Sequence, residues 1–141
     1  MICAAPGTDL VLWRADDNNN GRINVNELVY IERGASADML RLCRFSSGGN
    51  PEYTLSTLAQ TATKQQLCAL YSFKYTPLIA DCNSVQFGFL DAAPPRTRLL
   101  AVTFKYLENA VEHRYETVAA VRTRADHLLN ASNAIVSSDD D

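Results

Sequence analysis

The chain has 141 residues, of which 47% are hydrophobic and 21% charged, and its formal net charge at pH 7 is −3. This length fits one domain, and the hydrophobic content argues against intrinsic disorder through most of the chain. A pI near 5.3 argues against a protein that binds nucleic acid through the phosphate backbone. No apolar run approaches the roughly 20 residues of a membrane helix, so we expect no membrane contact from this sequence.

The first section, residues 1–45, predicts a β meander. Its apolar segments at 10–13, 28–31 and 39–45 are short and rich in Val, Ile, Tyr and Trp, a composition typical of strands. A polar loop over 16–27 separates the first two predicted strands.

A Gly- and Pro-free stretch over 54–72 predicts one helical segment. Its apolar residues recur at three- and four-residue spacings, and Thr54 or Ser56 is a suitable N-cap. We expect an interruption near 61–63.

Residues 84–124 predict an antiparallel β meander with one buried face. Apolar residues alternate with others along three segments, separated by a Pro94-Pro95 loop and by a turn at 108–110. The sequence therefore predicts an α+β fold, with predominantly antiparallel β meanders and one helical segment. We expect a single domain over 1–130 and a flexible acidic tail over 131–141.

The polar loop over 16–27 matches the twelve-residue calcium-binding pattern of EF-hand loops at every defining position. Side-chain oxygens recur on alternate residues, Gly21 permits the sharp turn, and Ile23 supplies the hydrophobic eighth position. The predicted ligands are Asp16, Asn18, Asn20, the carbonyl of Arg22, Asn24 directly or through water, and Glu27 from the twelfth position. The alternative is a polar turn, although a plain turn requires neither Ile23 nor Glu27.

The charges of these ligands predict a weak to moderate site. Asp16 and Glu27 are the two charged ligands, whereas the three asparagines are neutral. We therefore expect a dissociation constant of about 10⁻⁴–10⁻³ M, which is typical of a structural calcium ion outside the cytoplasm. The flanking segments look extended and the sequence contains no second such loop, so we expect a loop that joins two strands, not a helix–loop–helix unit.

The four cysteines, Cys3, Cys43, Cys68 and Cys82, are widely spaced. The absence of a C-x-x-C pair argues against a zinc site, while buried thiols and two disulfides of unknown pairing both stay open. No nucleophile motif accompanies His113 and no Gly-rich phosphate loop is present, so we predict no catalytic residues and no enzyme activity.

The order of several segments resembles bacterial prepilin-type proteins of the minor pseudopilin kind. The resemblance is carried by residues 9–16 (DLVLWRAD), 27–32 (ELVYIE), 40–42 (LRL), 81–87 (DCNSVQF), 94–100 (PPRTRLL) and 115–122 (YETVAAVR). It implies the globular headpiece of a pilin-like subunit of a type II secretion or type IV pilus system. Such headpieces pack an antiparallel sheet against a long N-terminal helix, and several hold a structural calcium ion.

The resemblance implies other pilin-like subunits or secretion-system components as partners, in the periplasm or at the cell surface. The family's N-terminal leader and long hydrophobic helix are not in this sequence, so we expect any membrane anchor to lie in a missing N-terminal helix. The main alternative is a free-standing extracytoplasmic calcium-binding or adhesion module. A third possibility is an enzyme whose site follows no obvious motif.

Overall fold

Ten strands, arranged in three antiparallel sheets, contain most of the described residues. The computed structural model describes residues 2–5, 9–18, 20–34, 39–46, 51–121 and 131–132. The helices are α1 (Leu55–Leu58) and α2 (Thr61–Leu70), and a 3-10 turn spans Val25–Glu27. The strands are β1 (Ile2–Ala4), β2 (Leu10–Trp13), β3 (Ile23–Asn24), β4 (Leu28–Arg33), β5 (Met39–Ser46), β6 (Glu52–Tyr53), β7 (Ser72–Ala80), β8 (Cys82–Phe89), β9 (Leu99–Glu108) and β10 (Val111–Ala120).

The largest sheet has five strands in the order β1-β2-β4-β5-β7. Its register places Ala4, Val11, Tyr30, Cys43 and Tyr75 in one row across the sheet. Successive side chains of a strand point to opposite faces, so this row shares one face. The helices cover that face, since buried side chains of α1 and α2 belong to the same core cluster.

The other face of this sheet packs against the three-stranded sheet β10-β9-β8. The cluster between the sheets contains Leu10 from β2, Leu100 from β9 and Val121, with Phe87 and Phe89 of β8 packed against it. A third sheet consists of β3 and β6 alone.

The predicted antiparallel β-sheet is confirmed, but the prediction of an α+β fold is wrong, because the fold is β-rich. The predicted 54–72 segment contributes two short helices separated at Ala59 and Gln60. Ser72, the last residue of that segment, and residues 73–80, for which no element was predicted, form β7 at the edge of the large sheet.

The expectation of one buried face along the whole 84–124 meander is also wrong. Every residue of β10 is exposed, whereas β9 buries Leu100 and Ala101 near its start. The reason is the order of the strands: β10 lies at the outer edge of its sheet, beyond the strands that supply the contacts to the core. Alternating apolar residues predict a strand, but they do not show which layer will cover it.

Some predicted features lie outside the described residues. These are the acidic tail apart from Ala131 and Ser132, the end of the third strand over 122–124, the turn at 35–38 and the break at 47–50. Among the helices that are described, none is both long enough and apolar enough to span a membrane.

Candidate metal centre

The candidate calcium loop connects β2 to β4, two neighbouring strands of the large sheet. Trp13 pairs with Leu28 at the base of the loop, and the Arg14 amide donates to the Glu27 carbonyl oxygen over 3.1 Å. The two ends of the loop are therefore held together by the sheet.

Asp16, the first predicted ligand, holds the middle of the loop through backbone amides. Its Oδ1 accepts from the Asn20 amide at 3.1 Å, and its Oδ2 accepts from the Gly21 amide at 2.6 Å. Gly21 has a φ of 67°, a left-handed conformation that glycine adopts without steric cost. The sequence predicted this role for Gly21.

The three asparagines predicted as ligands contact one another. Asn18 Oδ1 accepts from the Asn20 amide at 3.2 Å, and Asn20 Oδ1 accepts from the Arg22 amide at 2.8 Å. The side-chain amides of Asn18 and Asn20 both donate to Asn24 Oδ1, over 3.1 and 3.0 Å. Three of the predicted ligands thus lie within hydrogen-bonding distance of each other.

Glu27, the last predicted ligand, is fully buried and turned into the loop. Its Oε1 accepts from the Asp17 amide at 3.1 Å. Its Oε2 accepts from the Trp13 indole at 2.9 Å and from the Asn24 amide at 3.1 Å. These three donors fix the position of a carboxylate that would otherwise be costly to bury.

The second half of the loop is attached to the core through β3 and β6. Ile23 is fully buried and pairs with Tyr53. The Arg22 guanidinium donates to both carboxylate oxygens of Glu52 over 2.6 Å. Because a guanidinium has no acceptor atom, only the carbonyl of Arg22 is a candidate ligand. Neither β6 nor Glu52 was predicted from the sequence to be a neighbour of the loop.

The donor set fits a hard, oxygen-preferring cation such as calcium. Each carboxylate or amide oxygen can accept two hydrogen bonds, and Asp16, Asn18 and Asn20 use one acceptor position per oxygen for the loop's own amides. Asn24 Oδ1 already accepts two amides, so a contact with the ion, direct or through water, requires it to release one of them. Glu27 Oε1 accepts one hydrogen bond and so has one acceptor position left for a cation. Oε2 accepts two, so a bidentate contact of Glu27 with the cation requires Oε2 to release one of its donors.

Metal sites in proteins are also built from clusters of His, Cys, Asp and Glu side chains alone. Within the part of the chain that the structure describes, no three such side chains are placed so that they could hold a metal ion. The predicted donor set of the loop is of another kind, since it combines two carboxylates with amide oxygens and a backbone carbonyl.

A buried group of charges under α2 was missed by the sequence analysis. Glu32, with 1% of its side chain exposed, pairs with Arg41 over 2.7 Å and with Lys64. Lys64 also pairs with Asp9 over 2.8 Å. The signal was present in the sequence, because Glu32 follows Leu28 and Tyr30 at two-residue spacing and therefore occupies a core-facing position of a strand.

Tyr30 lies beside this charged group, and its ring centroid is 5.9 Å from Lys64 Nζ. Burial, followed by the nearby Cys68 and Asp9, raises the pKa of the Tyr30 hydroxyl well above its ordinary value. That hydroxyl has no hydrogen-bond partner among the described residues. Tyr30 therefore stays protonated and acts as a packed aromatic residue.

An open groove of about 1070 Å³ lies beside the candidate loop. Its walls come from the loop, β6, α1 and the end of β8, and they are largely apolar. The lining residues include Arg22, Ile23, Tyr53, Leu55, Phe89 and Pro95.

No protein-family model, no curated protein and no solved structure matches the chain.

Proposed function

We propose that this chain is a calcium-stabilised, non-enzymatic structural domain that works outside the cytoplasm, as the headpiece of a pseudopilin-like subunit. One observation carries the calcium part of the proposal. Both charged candidate ligands, Asp16 and Glu27, are fixed by amides of the loop and keep acceptor positions for a cation.

The ligand chemistry favours calcium over magnesium. The loop offers six candidate oxygen ligands on a curled backbone, and calcium accepts six to eight oxygens in flexible geometry, whereas magnesium demands a near-ideal octahedron. A cation would also neutralise the two carboxylates. In this proposal calcium stabilises the connection between β2 and β4.

The proposed location follows from the expected affinity. Two charged ligands among several neutral ones favour a dissociation constant of about 10⁻⁴–10⁻³ M, and such a site is filled only where calcium is abundant. The resemblance to pseudopilins implies the same location. Filament assembly or secretion is the role that the resemblance implies.

Calorimetric titration of calcium into metal-stripped protein tests the proposal. We expect one site with a dissociation constant of about 10⁻⁴–10⁻³ M, and a much weaker response to magnesium. At free calcium of 10 to 100 times that constant, the free energy of unfolding should rise by about 1.4–2.7 kcal/mol. Absence of both heat and thermal stabilisation would show that residues 16–27 are a polar turn.

Trp13 provides a second readout, because it is the only tryptophan in the sequence. Its indole donates to Glu27 Oε2 over 2.9 Å, so movement of the carboxylate toward a cation should change the fluorescence of Trp13. The fluorescence and heat titrations should give the same constant. A flat fluorescence trace in a sample that binds calcium would contradict the assignment of Glu27 as a ligand.

The groove beside the loop favours the second candidate function, a free-standing adhesion module. Its apolar walls and the Arg22–Glu52 pair at its side could receive a partner protein. The genomic sequence upstream distinguishes the two functions. An in-frame prepilin leader followed by about 20 apolar residues favours the pseudopilin, and a frame without them favours the adhesion module.

A further inference from the structure

Two of the four cysteines meet between α2 and the large sheet. Cys43 lies on β5 and is fully buried, whereas Cys68 lies on α2 and is partly exposed. Cys68 packs against the core cluster that contains Cys43, and the two thiols are close enough to affect each other electrostatically. Both are free thiols.

The packing of α2 explains why these thiols meet. Thr63 and Leu67 are the buried residues of this helix, and Lys64 and Cys68 follow them by one position each. On a helix such residues form one face. Lys64 is held by Glu32 and Asp9, so Cys68, one turn further along, is held over Cys43.

We infer that Cys43 and Cys68 form a disulfide that joins α2 to β5 when the protein meets an external disulfide oxidant. Such a reaction needs two neighbouring thiols, one of them accessible, and here Cys43 is buried in a core cluster against which the partly exposed Cys68 packs. Cys82 is a poor candidate, because it is buried and its thiol donates to the Ile79 carbonyl oxygen over 3.7 Å.

The reaction is a thiol–disulfide exchange in two steps. Cys68, the accessible thiol, loses its proton and attacks a sulfur of the oxidant, which releases one thiol and leaves a mixed disulfide. Cys43 then loses its proton and attacks Cys68 Sγ, which releases the second thiol. Two protons and two electrons pass to the oxidant, and one bond forms between Cys43 and Cys68.

The second step should be the slow one. Burial, followed by the neighbouring Cys68, raises the pKa of the Cys43 thiol to about 12. Because the thiolate is the attacking form, closure of the disulfide should accelerate as pH rises. At a fixed oxidant concentration we expect the closing rate to rise up to about tenfold per pH unit between pH 7 and 9.

The product would enclose residues 44–67, a segment that contains β6 and α1. β6 pairs with β3 of the candidate calcium loop. The disulfide would therefore restrain the segment that braces the loop, although its formation does not depend on calcium binding.

Incubation of the full chain with oxidised glutathione, followed by peptide mapping, tests the inference. Cleavage after Lys and Arg places Cys3, Cys43, Cys68 and Cys82 in four separate peptides, 1–14, 42–44, 65–74 and 75–96. We expect a linked product of peptides 42–44 and 65–74 that does not include peptide 75–96. The oxidised protein should melt about 10 °C higher than the reduced protein.

Two variants keep the test informative. Cys68→Ser should abolish the linked product, whereas Cys82→Ser should retain it. Cys68 is partly exposed, so its substitution should leave the fold intact. A link that involves another cysteine, a mixed glutathione disulfide at Cys68 that never closes, or two thiols that stay free would each overturn the inference.

Discussion

Glu27 shows how a single residue can serve both the fold and a candidate ion. Its carboxylate is fully buried and holds Trp13, Asp17 and Asn24 through three hydrogen bonds. Without a cation these donors offset the cost of burying the charge. With a cation, the same carboxylate would supply half of the site's negative charge.

Glu27→Gln should weaken calcium binding roughly tenfold or more, that is by about 1.4 kcal/mol or more. The substitution preserves the shape of the side chain but removes one of the two charged candidate ligands. Calorimetric titration measures the change. Asp17→Asn is the matched control. It also removes one negative charge from the loop, but the carboxylate of Asp17 pairs with Arg14 and is not a candidate ligand. Equal affinities in the two variants would contradict the ligand assignment.

The sequence was informative about this loop because the pattern is local. Spacing alone places oxygens on alternate residues and glycine at the turn, and Gly21 has the expected positive φ. The neighbours that arrive through the fold, such as Tyr53 and Glu52 on β6, could not be predicted in the same way. They follow from strand pairing across about 30 residues of sequence.

At the scale of elements, Asp91 organises the connection between β8 and β9. Its carboxylate accepts from the amides of Arg98 and Leu99 at 2.9 to 3.0 Å, from the Thr97 hydroxyl at 3.0 Å and from Arg98 Nε at 3.2 Å. The Arg98 amide, with help from these other donors, holds the pKa of Asp91 well below its ordinary value. The ionised carboxylate is therefore the form that this connection requires.

Asp91→Asn should lower the melting temperature by a few degrees at pH 7 and reduce the loss of stability in acid. A carboxyl with a depressed pKa in the folded state stabilises the protein above its unfolded pKa, about 3.9, and this stabilisation is lost as pH falls below that value. Melting temperatures from pH 6 to pH 2 measure the effect. The curves of the variant and the unmodified protein should approach each other toward pH 2, and parallel curves would refute the role of Asp91.

The elements themselves were only partly predictable. Alternating residues in 84–124 indicated the strands β8, β9 and β10, because the period of a strand is a local property. The burial of those strands was not predictable, since it depends on which layer packs over them. β7 shows the same limit: Phe73 and Tyr75 pack on aromatic neighbours, yet the strand lies at an edge and most of it is exposed.

At the scale of the whole molecule, one buried ionic group connects four parts of the chain. Asp9 precedes β2, Glu32 lies on β4, Arg41 on β5 and Lys64 on α2. The contacts among them fasten the helix to the large sheet. A buried charge that loses one partner is costly, because the remaining charge is no longer compensated.

Lys64→Met should lower the free energy of unfolding by roughly 3 kcal/mol, as Glu32 and Asp9 lose a shared cation. Lys74→Met is the control: Lys74 is exposed on β7, so we expect a change within about 0.5 kcal/mol. Urea unfolding at pH 7 measures both. The cost of Lys64→Met should shrink when Glu32→Gln is already present, and an undiminished cost there would mean that the ion pair is not its cause.

The pairing of Ile23 with Tyr53 has a consequence for how the molecule would respond to changing calcium. The eighth position of the loop forms its strand with β6, a two-residue strand without a candidate ion site of its own, and the sequence contains no second loop of this pattern. A single isolated site cannot be cooperative. Filling it from one tenth to nine tenths would take a roughly 80-fold rise in free calcium. Such a shallow binding curve suits a structural protein whose site stays filled with calcium, and it is poorly suited to a calcium sensor.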